Sequence, residues 1–432
     1  MVGEASLILV ILFVILLAVG IPIAISIAIA SLATVLLMLP FDIAVFTSAQ
    51  NMVSSLDSFS LVAVPLFMLS GIIMNHGGIA NKLIDFAKLF GGRIHGSLAH
   101  TNIIGNALFG SISSSAIAAS TAIGGVMVPS QVNEGYDRKF AAAVNIASAP
   151  TGMIIPPSTA FIIFSLISGG TSIAALFMGG VVIGLLWAFA IMVVAYVIAK
   201  KRNYPIAPKS KNENTKKIIL DAIPSLLLIV IIIGGILTGV FTAIEASAIC
   251  VVYSLFLSLV YYKTLTIKQL PNVVIHAVEL TGVIMLLIAA SSLMTFTMAI
   301  TGMPEALSNL VLNISENPII ILLIINLVLL LVGTVMDVAP AILIFTPIFL
   351  PIAEGIGVDP VHFGIFFILN LCIGTITPPV GTGLFVGSSI GKVKIERVIK
   401  PLLPFYAAIL VLLMLVTYIP EISLFLPNLL DL

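Results

Sequence analysis

The amino-acid sequence predicts an all-α polytopic membrane protein, arranged as an inverted-topology repeat with two re-entrant helical hairpins and two broken helices. Composition is the first indication: of 432 residues, 60% are hydrophobic and 8% are charged, against roughly 25% charged in a typical soluble domain. The second is a Gly-x-x-x-Pro-Pro motif that occurs twice, at residues 152–157 and 374–379. The third is the distribution of lysine and arginine, which indicates that the two halves have opposite orientations in the membrane.

An internal repeat divides the chain. Without a gap, a shift of 222 residues superimposes the two motifs and also aligns Gly135 with Gly357 and Asp137 with Asp359. Chance alignment of glycines and prolines is the alternative explanation. The prediction is a first repeat over residues 1–199, a basic linker over residues 200–217 and a second repeat over residues 218–432.

Charge determines the predicted sidedness. The linker carries seven lysines and arginines against one acid, Glu213, and such short basic segments stay in the cytoplasm. When the loops alternate outward from the linker, all 18 lysines and arginines fall on the cytoplasmic face only if the repeats are inverted. We therefore predict cytoplasmic basic loops and both termini on the outer side.

Each proline pair predicts a break in a membrane helix. Two consecutive prolines remove two backbone donors and cannot continue a helix. Within a bilayer the carbonyls left behind must be buried in protein or line a polar cavity. A discontinuous helix that occurs twice is therefore a pointer to a binding site, as in secondary transporters built from inverted repeats.

A polar segment precedes each break and predicts a re-entrant hairpin. The first tip lies at about residues 110–116 and the second at about residues 333–340, each between apolar flanks. The predicted topology requires each segment to enter and leave on one side, so the tips approach each other from opposite faces. The helix that starts after each tip offers free N–H groups and the positive end of its dipole.

Oxygen atoms at the tips and breaks suit sodium, and we predict two or more sodium sites and no organic cofactor. Packing is the alternative for the tip serines taken alone, because serine-rich membrane helices are often interfaces. The first predicted site comprises Ser113, Gly152, Ile155 and Pro157, and the second comprises Gly333, Asp337, Gly374, Thr377 and Val380.

Two acids and two histidines lie within or near the predicted spans. Asp337 at the second tip would cost about 2.5 to 3.5 kcal/mol on insertion scales unless a cation or a proton compensates it. The alternative is a protonated Asp337 bound to the tip backbone. Glu245 is also deep enough to need a partner, and both a structural and a functional role remain open. His76 and His276 lie near span ends and are interpreted as interface anchors rather than proton relays.

Several function classes are not supported by the sequence. It has no HExxH, CxxC or Walker-type glycine motif, and the tip residues have no histidine or lysine base at membrane depth, so we expect no enzyme activity. A channel would need a continuous polar stripe, whereas polarity here is concentrated at two tips and two breaks. Nothing indicates a nucleic-acid partner.

Taken together, the chain resembles the large membrane subunit of tripartite ATP-independent periplasmic (TRAP) transporters. The resemblance rests on the paired Gly-x-x-x-Pro-Pro motifs, the Ser-rich tip at residues 111–115, the Met336-Asp337 tip and the Gly-x-x-Thr-x-x-Glu-Ala element at residues 239–246. It covers essentially the whole chain. One departure is Thr242-Ala243-Ile244-Glu245, where the family usually has Thr-Pro-Thr-Glu, and it puts a local helix bend in doubt.

The resemblance implies a sodium-driven elevator in the bacterial inner membrane that imports a small organic acid, such as sialic acid, a C4-dicarboxylate or another sugar or keto acid. It also implies two partners: a small membrane subunit of about four spans, expected as a separate chain, and a periplasmic substrate-binding protein. The alternative is a stand-alone sodium- or proton-coupled organic anion transporter. The substrate should lie between the tips, with candidate contacts at Ser113, Ser114, Ser115, Ser158, Asp337, Pro379 and Thr382.

Overall fold

The computed structural model describes residues 2–91, 94–206, 215–304, 306 and 317–432. In these residues every regular element is helical, and eight helices are long and apolar enough to cross a membrane, or nine if a bent pair counts as one span. The predicted all-α, multi-pass fold is therefore confirmed. Much of the linker, residues 207–214, lies outside the described residues, as do residues 305 and 307–316.

The first half contributes eleven helices. They are α1 Val2–Ala18, α2 Ile23–Met38, α3 Phe41–Ser54, α4 Ala63–His76, α5 Ile79–Gly91, α6 Ser97–Ser113, α7 Ala116–Asn133, α8 Arg138–Ser148, α9 Thr151–Ile154, α10 Thr159–Ile167 and α11 Ile173–Lys201. A short 3₁₀ turn, Phe59–Val62, precedes α4.

The described part of the second half contributes nine more helices. They are α12 Thr215–Leu237, α13 Ala243–Phe256, α14 Leu270–Ile300, α15 Pro318–Val335, α16 Val338–Gly355, α17 Pro360–Thr375, α18 Thr382–Gly391, α19 Ile395–Tyr418 and α20 Pro420–Leu429. A π-helical turn, Leu257–Tyr261, extends α13.

The repeat is visible in local backbone structure. Gly135 and Gly357, which are 222 positions apart, have φ of 87° and 84°, a left-handed conformation that glycine adopts without a Cβ penalty. Two residues later, Asp137 accepts the backbone N–H of Lys139 at 2.9 Å, and Asp359 accepts that of Val361 at 2.8 Å. The helix before each break therefore starts with the same turn and the same N-cap.

Both hairpins form, with tips narrower than the sequence predicts. The first helix of the first hairpin continues to Ser113 and the second starts at Ala116, so only Ser114 and Ser115 form the tip. In the second hairpin the tip is Met336 and Asp337. Ser114 adopts a left-handed conformation with φ of 50° and ends α6, and the Ser115 side chain caps α7 by accepting the N–H of Ala118.

Both proline motifs interrupt a helix. In the first half, the segment Arg138–Ile154 and the following Thr159–Ile167 meet at 48°. In the second half, α17 ends at Thr375 and α18 starts at Thr382. The Pro156-Pro157 and Pro378-Pro379 peptide bonds are both cis.

The helices pack into two bodies, each of which takes helices from both halves. In the frame, defined as α1–α5 and α12–α14, α14 packs on α2, α3 and α4, and α13 packs on α4. In the hairpin body, defined as α6–α11 and α15–α20, α18 packs on α7, and α19 packs on α8. Contacts between the bodies include α5 and α4 with α6, and α14 with α16.

Candidate substrate and ion sites

The first hairpin crosses the first broken helix at a pair of glycines. A Cβ built on Gly152 would lie 2.0 Å from the Cα of Gly110, and one built on Gly110 would lie 2.5 Å from the Cα of Gly152. Real Cβ atoms do not approach backbone this closely, so the two backbones touch only because both residues are glycine. The crossing places the hairpin beside the first proline break.

The second hairpin repeats this contact. A Cβ built on Gly374 would lie 2.3 Å from the carbonyl carbon of Gly333, and one on Gly333 would lie 3.0 Å from the Cα of Gly374. Gly333 and Gly374 were both predicted as sodium-site residues, and the structure brings them together. The same backbone-to-backbone crossing therefore occurs once in each half.

The first tip is joined to the first break by a side chain. The Ser114 hydroxyl donates to the Pro157 carbonyl, and the Ser113 hydroxyl lies 3.5 Å from the carbonyls of Gly110 and Ser115. Ser113 and Pro157, which were predicted to share one ion site, are thus neighbours of the same tip. The arrangement concentrates carbonyl and hydroxyl oxygens, the ligands that hard cations prefer.

The prolines of the first break leave two carbonyls without helical donors. Pro156 and Pro157 have no N–H to offer to Gly152 and Met153, four residues earlier. The Ser158 hydroxyl replaces one of these donors by hydrogen bonding to the Met153 carbonyl. Ser158 is fully buried, so its hydroxyl compensates the break rather than facing the cavity where it was predicted to contact substrate.

The second break is tied to its hairpin by backbone hydrogen bonds. The N–H groups of Val380 and Gly381 donate to the Thr334 carbonyl at 3.2 and 2.9 Å. The Thr377 N–H donates to the Gly374 carbonyl at 2.9 Å, and its hydroxyl donates to the Ile373 carbonyl at 2.7 Å. The predicted residues Gly374, Thr377 and Val380 thus lie on one short segment next to the second hairpin.

A cavity of about 770 Å³ lies between the hairpin body and the frame. Among its lining residues it brings together five predicted substrate contacts: Ser113, Ser114, Ser115, Asp337 and Thr382. Ser158 and Pro379 are not on its wall. The wall also carries six polar side chains that were not predicted as contacts: Asn75, His76, Thr121, Thr159, His276 and Thr375.

Asp337 is the acidic residue on the cavity wall among the described residues. It is the N-cap of α16, where its Oδ1 accepts the N–H of Val338 at 3.0 Å. Its side chain is exposed toward the cavity. The carboxylate therefore has a local structural role and remains accessible to a cation or a substrate.

Glu245 lies in a capping box at the start of α13. Its Oε2 accepts the N–H and the hydroxyl of Thr242 at 2.8 and 2.9 Å, and the Thr242 hydroxyl accepts the N–H of Glu245 at 3.3 Å. The side chain is exposed. The partner that the sequence analysis required is thus the helix start itself, and Ala243 and Ile244 keep this helix start without the proline that is usual in the family.

We expect Glu245→Gln to retain the folded protein and its transport, because glutamine can make the same reciprocal cap. Glu245→Ala should lower Tm modestly, because it removes the cap. Thermal unfolding of both purified variants, with uptake measured in parallel, distinguishes a capping role of Glu245 from a role of its charge. Loss of uptake in a stably folded Glu245→Gln protein would show that the charge, rather than the cap, matters.

Two matched crossings of a hairpin with a broken helix, with both hairpin tips on the wall of one cavity in a multi-pass helical protein, are typical of a membrane transport protein. Comparison with known proteins gives the family. Residues 10–422 match the family model described as "Tripartite ATP-independent periplasmic transporter, DctM component". The chain belongs to this family, and it is therefore a transporter permease subunit rather than an enzyme.

Curated relatives agree with this assignment. The chain is 50% identical over 400 residues to YgiK of Salmonella typhimurium, covering 93% of this chain and 92% of the relative. It is 39% identical to the sialic acid TRAP transporter large permease SiaM of Vibrio cholerae, covering 88% and 89%. It is 37% identical to the C4-dicarboxylate TRAP transporter large permease DctM of Pseudomonas aeruginosa, covering 91% and 92%.

A solved structure shares the fold. The YdaH transporter of Alcanivorax borkumensis superimposes with a TM-score of 0.62, covering 88% of this chain and 89% of that one, at 13% sequence identity. At this identity the similarity concerns the fold alone.

Proposed function

We propose that this chain is the large membrane subunit of a binding-protein-dependent importer that couples the entry of a small organic acid anion to sodium. The observation that carries the proposal is the pair of glycine crossings, because each places a hairpin tip beside carbonyls of a proline break. The family supplies the transport role. Sodium coupling is the chemistry that the donor set at these crossings favours.

At the first crossing, the oxygen atoms of the described residues that could bind a cation are backbone carbonyls and serine hydroxyls, with no carboxylate among them. The Pro157 carbonyl already accepts a hydrogen bond from Ser114 and has a second lone pair. The Gly152 carbonyl has no helical donor, because the residue four positions later, Pro156, lacks an N–H. Neutral oxygens of this kind suit a monovalent hard cation bound transiently, as transport requires.

At the second crossing, Asp337 adds a negative charge to the carbonyls near Gly333 and Gly374. Its carboxylate uses Oδ1 for the Val338 N–H and retains further lone pairs for a cation. A cation bound here would offset the charge of Asp337 and attract an anionic substrate to the cavity. This couples sodium binding to substrate binding through ordinary electrostatics.

The substrate would lie between the tips. Of the described residues on the cavity wall, none is lysine or arginine, so an acid must be held by other groups. The helices α7 and α16 start at the tips and place the positive ends of their dipoles there. Sialic acid and C4-dicarboxylates, named for two relatives, define the substrate class to test.

Movement of the hairpin body against the frame would carry the site across the membrane. The cavity is bounded by both bodies, since Gly71 and Met68 of α4 line it opposite the tip serines. A Cβ on Gly71 would lie 3.0 Å from the Ser113 carbonyl oxygen, so the frame and the first tip fit closely at this point. Such a movement would have to release the packing of α5 and α4 on α6 and of α14 on α16.

Uptake into proteoliposomes tests the proposal. The vesicles would contain this chain with or without its small membrane subunit and receive N-acetylneuraminate or succinate, with and without the cognate binding protein. We expect uptake of one acid only when the binding protein and the small subunit are both present. Uptake by this chain alone would favour a stand-alone sodium- or proton-coupled anion transporter, and absence of uptake for a broader acid panel would refute the proposed role.

A further inference from the structure

We propose that His76 and His276, both on the frame, form a second binding site for the acid anion, on the part of the cavity wall that the frame provides. The inference rests on the proposed function, since it concerns the anion that the cavity would carry. It assigns the frame a direct part in recognising the substrate as it enters or leaves the tips. The observation behind it is that both imidazoles line the cavity.

The two histidines come from different frame helices. His76 is the last residue of α4, and His276 lies two turns into α14. These helices pack on each other, and Ile73 and Val273, one turn from the respective histidines, belong to one hydrophobic cluster. The packing brings both side chains to the same cavity, although 200 residues separate them in the chain.

The hydrogen bond of His76 indicates which of its ring nitrogens is available to a ligand. Its Nδ1 lies 2.9 Å from the Ile72 carbonyl oxygen, and since a carbonyl can only accept, Nδ1 carries the hydrogen. This contact leaves Nε2 for another partner. When protonated, Nε2 donates to a carboxylate, and when neutral it accepts from a substrate hydroxyl.

His276 has its Nδ1 3.8 Å from the Glu279 carboxylate, and its side chain is 54% exposed. Glu279 is similarly exposed, at 70%, and lies one turn further along α14. The Glu279 contact is made by Nδ1, so Nε2 is the ring nitrogen that can face an anion in the cavity.

Charge on the cavity wall explains the use of histidine. Asp337, on the hairpin body, is negative when ionised, and on the described part of the wall the two imidazoles are the side chains that can become cationic. An anion that leaves the tips loses its bound cation and its helix N-termini, so a weak positive partner on the frame keeps it in the cavity. Lysine or arginine would bind more strongly and slow its release.

Interface anchoring, which the sequence favours for both residues, makes a different prediction. An anchor binds lipid headgroups at the rim of a span and has no effect on substrate affinity. Because both rings line the cavity, a measurement of substrate affinity can distinguish interface anchoring from anion binding.

The test measures equilibrium binding of radiolabelled N-acetylneuraminate and succinate to the complex with the small subunit in lipid nanodiscs, in sodium. The variants are His76→Gln, His276→Gln and the double substitution. We expect the double variant to raise the Kd of the bound acid at least about tenfold, the effect of losing one hydrogen bond to a charged group. With the acid held well below its Kd, the sodium concentration for half-maximal binding should not change, since the proposed sodium ligands lie at the crossings.

Two controls sharpen the test. His95→Gln removes an imidazole that bonds the Tyr204 carbonyl at 3.3 Å outside the cavity and should leave the Kd unchanged. His76→Lys in the His276→Gln background restores a positive donor and should lower the Kd from that of the double variant to about the wild-type value or below. Equal Kd values for wild type and the double variant would overturn the histidine site alone. Absence of both binding and uptake in the wild type would instead refute the proposed function, and the histidine site with it.

Discussion

Replacing Gly152 by alanine is expected to force the first hairpin away from the first break. The new methyl group would meet the Gly110 Cα at 2.0 Å, and neither a Cβ nor a backbone Cα can rotate away from such a contact. Overpacking of this kind typically lowers the free energy of unfolding by about 1 to 3 kcal/mol. Because the same contact positions the Ser114 hydroxyl on the Pro157 carbonyl, sodium-dependent uptake should be lost even in protein that remains folded. Size-exclusion profile, Tm and uptake should be measured together.

Gly125→Ala is the matched control. Gly125 lies within α7 of the same hairpin, and a Cβ built there meets nothing within 4 Å. Alanine at a helical site of this kind should be neutral or slightly stabilising. If Gly152→Ala had the Tm and uptake of Gly125→Ala, the close crossing would not exist in the folded protein.

Replacing Asp337 by asparagine is expected to reduce uptake to the background of empty vesicles while the protein keeps its Tm. Asparagine is as good an N-cap as aspartate, so the bond to the Val338 N–H survives. The substitution removes only the charge that faces the cavity and that we assign to sodium binding. Asp337→Ala should lose uptake as well and should also lower Tm, since it removes the cap.

Asp359→Asn provides the comparison. Asp359 is the N-cap of α17 and accepts the N–H groups of Val361 and His362 at 2.8 and 3.2 Å, but it does not line the cavity. The same chemical change there should leave uptake unaffected. Uptake at the wild-type rate in Asp337→Asn would remove the carboxylate from the coupling mechanism and leave it a helix cap.

The large features were predictable because they rest on residues with few structural options. Paired prolines cannot continue a helix, so the two breaks could be placed from the motifs alone. Gly152 and Gly374 were predicted as sodium-site residues, not as points of close backbone contact. The hairpin partners of these glycines, Gly110 and Gly333, fell within the predicted tip segments, but only the fold shows that they are the points of contact.

The finer details depended on choices that a pattern does not encode. Ser158 follows a proline pair, and its hydroxyl compensates the Met153 carbonyl rather than facing the cavity. Helix α6 continues to Ser113 because Ser114 can adopt a left-handed conformation and Ser115 can cap the next helix, so the tip is short. The Thr242-x-x-Glu245 spacing, in contrast, is a capping-box signature that was readable in the sequence.

The histidines show where periodicity is uninformative. His76 and His276 lie near span ends, where a sequence pattern cannot distinguish the lipid interface from the wall of a cavity. Whether lipid or the cavity surrounds such a residue depends on how α4 and α14 pack across the hairpin tips. Long-range packing of this kind enters only with the fold.

The most direct test of sodium coupling is acid uptake by the complete reconstituted transporter under imposed ion gradients. With an inward sodium gradient at constant ionic strength, we expect accumulation of the acid above its external concentration. Replacing external sodium by potassium, or collapsing the gradient with a sodium ionophore, should abolish it. Accumulation that persists without sodium, or that follows an imposed proton gradient instead, would contradict the assignment of the two hairpin crossings as sodium sites.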